Sequence, residues 1–259
     1  MTEDKIRDIV HQVILKEMDV YHGSMSNFNQ FDDKFMGSGE GAQIYGWGTY
    51  LTQDEDVAEY YIRNAYMQGV NRQSNHNMKG LGIFNQQNDP RFKPDAFKMI
   101  HGYLYAVDIP NDNGNNYINW NTNDIQTLNV IIQRLSKVLN QEQINFLMNK
   151  LVNANNKWYQ NFNKISNFKG LYNVLTKMLG SQKNASVALN NSGFIGIKVP
   201  LDNKRGGIEG KWNYVIFNSN NIKVVNKSKI SYNMPQFDLQ VHQGYAQNNK
   251  AISNISNVN

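Results

Sequence analysis

The sequence predicts an α+β fold, a mixed and largely antiparallel sheet that carries an N-terminal helix and a helical insertion. Three observations lead there. Short strand-like runs around Tyr21, Tyr50, Tyr105, Ile195 and Val215 are separated by Gly- and Asn-rich turns. Between the third and fourth of them, residues 123–190 carry apolar stripes at helical spacing, and the chain opens on another such stripe. The expected organisation is a helix over residues 1–18, one domain over 19–225 with its insertion at about 123–190, and an Asn-rich tail over 226–259.

The opening stripe is Ile6, Ile9, Val10, Val13 and Ile14, with Thr2 or Asp4 near the cap. Such a face ordinarily packs on the sheet, and a partner-binding helix is the other reading. Next comes the stretch richest in chemistry, residues 21–61. Asp19-Val20-Tyr21 reads as a strand ending in His22-Gly23-Ser24, where an imidazole and a hydroxyl flank a glycine that lets a ligand approach the backbone. Gly46-Trp47-Gly48 is a turn into the strand Thr49 to Thr52, and Asp54-Glu55-Asp56 form the acidic first turn of a helix reaching Tyr61. Tyr50 and Tyr61 stand eleven residues apart. A strand end, a turn and two helical turns bring such rings face to face, leaving a slot for a flat cationic ring. Tyr60 takes that place if the helix boundary shifts by one. The stretch therefore reads as a dinucleotide pocket.

Farther along, residues 71–91 are polar and broken by glycine and proline, which predicts a long loop or lid. Tyr103 to Ile109 reads as a strand stopped by Pro110, and Asn111-Asp112-Asn113-Gly114 turns the chain toward Tyr117. In the insertion, Leu128, Ile131, Ile132, Leu135, Val138 and Leu139 form one stripe. A second comprises Ile144, Leu147, Met148, Leu151 and Val152, and two shorter helices meet at Gly180, with Gly193 as the final stop. Phe194 to Val199 and Tyr214 to Phe217 are strands joined by the glycine-rich loop 204–210. After Val225 the chain turns Asn- and Gln-rich, and its last dozen residues are expected to be disordered.

Composition narrows the chemistry. Of 259 residues, 40% are hydrophobic, which suffices for a real core. The absence of cysteine excludes disulfides and thiolate metal sites, and the 5 histidines show no ligand spacing, so no metal is expected. No run is long enough to span a membrane and no signal peptide is evident, so the expected location is the cytoplasm. Lys and Arg outnumber Asp and Glu by 26 to 21, a mild lean toward an anionic partner such as nucleic acid.

Tyr21-His22-Gly23-Ser24, with a Gly-x-Gly-x-Tyr run and a tyrosine eleven positions on, resembles the first two motifs of the diphtheria-toxin and poly(ADP-ribose) polymerase branch of ADP-ribosyltransferases. The run from Gly37 to Tyr50 is more similar to the ADP-ribosyltransferase domains of polyvalent proteins in phages and mobile elements. Four later segments extend the likeness: 104–110, 179–186, 193–198 and 212–217. The resemblance covers roughly residues 19–225 and implies a split mixed sheet that binds NAD as substrate. It implies that His22 holds the adenosine-side ribose, that Gly23 and Ser24 hold the nicotinamide amide, and that Tyr50 and Tyr61 sandwich the nicotinamide.

The third motif of that branch places a glutamate just before Tyr-x-Val, where this chain has Asn213. An amide can hydrogen-bond a ribose hydroxyl but carries no charge and cannot act as a base. Glu209 is the first candidate to replace the carboxylate and Glu40 the second; Glu209 reads equally well as an exposed loop residue. The expected activity is transfer of a single ADP-ribose to a macromolecule, with nucleic acid favoured over protein. An inactive NAD-binding module is the alternative. A toxin or phage-defence role is implied by the resemblance alone, and with it an antitoxin or inhibitor as partner.

Overall fold

The computed structural model describes residues 18–37, 43–73, 92–114, 116–151, 164–201 and 210–237. The predicted helix before Met18, Glu40, most of the predicted lid, Glu209 and the last residues of the tail lie outside them. The fold is α+β, with a mixed seven-stranded sheet. Its strands are β1 (Met18–Ser24), β2 (Thr49–Thr52), β3 (Phe92–Ile109), β4 (Tyr117–Asn119), β5 (Gly196–Pro200), β6 (Trp212–Ile216) and β7 (Lys223–Phe237). They lie in the order β4-β5-β6-β2-β1-β3-β7, and β4 pairs with β5 in parallel while β6 is antiparallel to both its neighbours. The helices among the described residues are α1 (Glu55–Gln73), α2 (Ile125–Arg134), α3 (Gln141–Lys150), α4 (Phe168–Leu179) and α5 (Gln182–Asn191).

The chain divides into two compact units. The first takes in the described residues within 18–22, 28–58 and 105–227. Its core lies where α2 to α5 cover the sheet: Leu128, Ile132, Leu135, Leu147, Leu171, Leu175 and Leu189 pack with Ile197, Val199 and Val215. Each such leucine withdrawn from water contributes about 1.5–3 kcal/mol. These helices begin and end where the sequence marks them. Asn140 and Gln143 exchange the reciprocal bonds of a capping box, Asp124, Asn167 and Ser181 accept from backbone N–H groups of the first turns, and Gly180 closes α4 at φ 86°. In β6, Tyr214, Val215 and Ile216 are all buried, as a strand covered on both faces requires.

The second unit takes in the described residues within 23–27, 59–104 and 228–237. Ile62 of α1 fills the space over Gly102, where an added Cβ would come within 2.1 Å of the isoleucine methyl. Ile100 and Met234 form a small apolar centre with Tyr66 and Tyr232. Glu59 accepts from the Tyr232 hydroxyl at 3.0 Å and pairs with Arg63 at 3.4 Å, while the guanidinium lies over the Tyr232 ring.

Three expected boundaries need correction. The helix predicted to reach Tyr61 continues through Gly69 to Gln73. It therefore takes in Asn71, Arg72 and Gln73, placed above in the lid. The strand predicted from Tyr103 begins at Phe92 and runs through Pro94, which the sequence favours as a stop. The last strand reaches Phe237, past the point where the composition turns Asn-rich, because the alternation of Ile230, Tyr232 and Met234 outweighs the low β-propensity of asparagine.

Candidate functional site

The residues singled out in the first unit are His22, Tyr50 and Asn213, which sit on three consecutive strands, β1, β2 and β6. Thr52 is the partner of Tyr21 on one side and of Asn213 on the other, and Val215 is the partner of Tyr50. Side chains alternate along a strand, so Tyr50 and Asn213 share one face as diagonal neighbours. Tyr21, Thr52, Asn213 and Val199 form a row across that face. His22, next along β1, points to the opposite face of the sheet, the one to which Leu51 and Tyr214 belong, so its ring and the side chains of Tyr50 and Asn213 stand on different faces.

The imidazole of His22 turns to the backbone of β2, where Nδ1 lies 2.9 Å from the Tyr50 carbonyl oxygen. A carbonyl only accepts, so Nδ1 carries the proton and donates it. Burial holds the ring's pKa below its ordinary value of 6.5, against the opposing effect of that bond. The neutral ring therefore keeps Nε2 as an acceptor. Its setting is aromatic: Phe31 meets it edge-on at 5.2 Å, and Phe28, stacked on Tyr105 at 4.1 Å, lies beside it.

Tyr50 is tied into the glycine turn before it. Its hydroxyl donates to the Gly46 carbonyl at 2.9 Å and accepts from the Tyr45 N–H at 3.1 Å. Its ring, partly buried, packs against the core beneath the helices. Gly46 has φ 101°, and a Cβ there would come within 2.7 Å of the Tyr172 ring. Gly48 runs against β6, where a Cβ would meet the Ile216 carbonyl oxygen at 2.6 Å. Close packing, not phosphate binding, accounts for both glycines of Gly46-Trp47-Gly48.

Asn213 is half-buried, and its amide makes no hydrogen bond among the described residues. Its neighbours are more committed. Gln53 N–H donates to the Trp212 carbonyl and the Gln53 side chain accepts from Trp212 N–H, locking the end of β2 to the start of β6. Asp54, buried, caps α1 by accepting from Asp56 and Val57 and pairs with Lys211 at 3.3 Å. Across the alternate row, Lys198 pairs with Asp112 and lies over the Trp212 ring, while burial pushes Tyr214 up to about 12.

In the second unit, Ser24 accepts from the Ser26 N–H at 3.0 Å, and Gly23 precedes it in β1. Tyr60 and Tyr61 meet edge-on at 5.8 Å, and Tyr61 is exposed. Glu209 and Glu40 lie outside the described residues. Among the described residues, no group of three His, Asp or Glu side chains stands close enough to hold a metal, and no helix is long and apolar enough to cross a membrane. Sequence reasoning missed Tyr172 and Asp54. Asp54 was legible as a helix cap two residues past a strand, whereas Tyr172 looks like any aromatic on a helical stripe. Comparison with family models, curated proteins and solved structures found no match.

Proposed function

We propose that this chain is a mono-ADP-ribosyltransferase. It breaks the bond between nicotinamide and ribose in NAD and passes the ADP-ribose to a macromolecular acceptor, with a nucleic-acid base favoured by the excess of 26 basic over 21 acidic residues. The observation that carries this reading is the adjacency of β1, β2 and β6: His22 bonds the Tyr50 backbone carbonyl, and Asn213 is diagonal to Tyr50 on the face opposite the His22 ring. The proposal rests on residues of the first unit alone.

In this reading Nε2 of His22 accepts from a ribose hydroxyl, and the Tyr50 ring stacks on the nicotinamide. The carbon–nitrogen bond breaks with its electron pair leaving on nicotinamide. Positive charge then develops on the ribose, and in this reading the amide oxygen of Asn213 stabilises that charge or a ribose hydroxyl. A lone pair of the acceptor forms the new bond to the ribose carbon, and the acceptor's proton passes to water or to a carboxylate, Glu209 first and Glu40 second. An amide in place of an acid supports transfer of one ADP-ribose rather than chain elongation.

Asn213 also favours the second reading, an NAD-binding module without chemistry. Incubation of the full chain with NAD labelled on its adenylate part and a cell lysate separates them, with protease and nuclease digestion run in parallel. Label that nuclease releases, lost in His22→Ala, is the expected result. Binding of NAD without label on any macromolecule selects the inactive module, and no binding at all ends both. A toxin role predicts growth arrest on expression, relieved by Tyr50→Ala; unimpaired growth removes it.

A further inference from the structure

Besides covering the sheet, the helical insertion reaches the glycine turn before β2 through a hydrogen-bonded peptide group. The Gly46–Trp47 peptide presents its carbonyl to the Tyr50 hydroxyl at 2.9 Å and its N–H to the Tyr172 hydroxyl at 3.0 Å. Tyr172 stands on α4 and is 1% exposed. Its oxygen exchanges a hydrogen bond with the fully buried Ser186 of α5 at 2.8 Å and donates to the Gln182 carbonyl at 3.0 Å. One phenolic proton and two lone pairs satisfy this set when Trp47 and Ser186 donate and Gln182 accepts. Burial raises the phenol's pKa, which keeps that proton in place.

Two features make the contact more than packing. The Tyr172 hydroxyl is what a Cβ on Gly46 would strike, so the turn is shaped around this oxygen. The bonded peptide is also the one that anchors Tyr50, whose hydroxyl has the Gly46 carbonyl and the Tyr45 N–H as partners. A peptide fixed at both its N–H and its carbonyl cannot rotate without losing both bonds, so the orientation of the Tyr50 ring is coupled to α4 and α5.

We infer that Tyr172, held by Ser186, is a positioning residue: the helical insertion braces the Gly46–Trp47 peptide and through it sets the Tyr50 ring. The inference rests on the reading that Tyr50 contacts NAD only as far as its kinetic consequence goes. The brace itself is tested without NAD.

The test compares the full-length wild type with Tyr172→Phe and Ser186→Ala. Amide exchange is followed by mass spectrometry in the segment containing Trp47, and nicotinamide release is measured against NAD concentration. Tyr172→Phe keeps the ring and removes only the hydroxyl, leaving the Trp47 N–H without its partner. Exchange in that segment rises about tenfold while the β5–β6 pairing stays protected. KM for NAD rises several-fold with kcat within about twofold, since the ring's placement and not the chemistry is altered. Ser186→Thr, which retains the hydroxyl, restores both. Should Tyr172→Phe not fold, Ser186→Ala carries the same comparison through loss of one donor to the phenol. Unchanged exchange around Trp47 in the folded variants overturns the brace. Faster exchange with an unchanged KM overturns its link to NAD. A wild type that binds no NAD overturns the functional reading and leaves the brace to the exchange result.

Discussion

The glycine turn before β2 and the face shared by β2 and β6 are both rich in motif residues, yet they treat their polar groups in opposite ways. In the turn, the Gly46–Trp47 peptide is held by the Tyr50 hydroxyl and the Tyr172 hydroxyl, and the glycines are explained by steric contact. On that face, the Asn213 amide has no hydrogen-bond partner among the described residues, and on the opposite face the neutral His22 carries its proton on Nδ1, which leaves Nε2 an acceptor. A buried polar group left without a partner costs free energy, so a half-buried one that stays unpaired marks where water or a ligand belongs. A conspicuous motif can thus be architecture, while an inconspicuous amide carries the opportunity for binding.

If the turn is architecture, its changes must act first on stability. Gly46→Ala places a methyl against the Tyr172 ring at a backbone angle that non-glycine residues avoid, and roughly 3 kcal/mol of folding stability is lost. Denaturant midpoints measure it, and a loss under about 1 kcal/mol means that the turn does not rest on Tyr172. Asp54→Ala comes next, at roughly 1–2 kcal/mol, because it removes the cap of α1 and the partner of Lys211. Asp54→Asn, which still accepts from Asp56 and Val57, recovers most of the stability; if it does not, the ion pair rather than the cap carries the effect.

The same contrast explains what the sequence could and could not disclose. The helices of the first unit were readable because their leucine and isoleucine stripes and their Asn, Asp, Ser and Gly caps agree with one another. The second unit was read less well. The long strand through Pro94 and the strand through Asn226 and Asn233 contradict local propensity, and only pairing across the sheet overrides it. For the site, His22, Tyr50 and Asn213 stood out by residue type, but their rows on the sheet depend on register, which no local pattern encodes. Tyr172 was invisible for a related reason. Its hydroxyl meets a peptide 125 residues away in sequence, and nothing in its own stripe distinguishes it from a ring that merely fills space.

The pH dependence of stability probes the His22 side of the comparison. Burial holds its pKa below 6.5, so on acidification the unfolded chain takes up a proton before the folded one. The contribution of the neutral ring is complete above the unfolded value and is lost as pH falls through it. Melting temperatures between about pH 8 and about pH 5 should therefore decline below the ordinary imidazole value, and decline less steeply in His22→Gln. Equal slopes for the two proteins would mean that the ring is not held neutral by its aromatic surroundings.

Asn213 should show the smallest effect on folding and a large one on chemistry. Its amide makes no hydrogen bond among the described residues, so Asn213→Ala changes stability by no more than about 0.5 kcal/mol. In the proposed reaction it removes the group facing the developing charge, and NAD cleavage falls by roughly a hundredfold. Asn213→Glu supplies the carboxylate that the position lacks. With the Thr52 partner and the β2–β6 register unchanged, the added charge lies on the same face as Tyr50 and raises the transfer rate by about tenfold or more. A stability loss as large as that of Gly46→Ala would turn Asn213 into architecture as well. Rates unmoved by either substitution would take the reacting ribose away from β6 and leave the contrast between the two regions without its functional half.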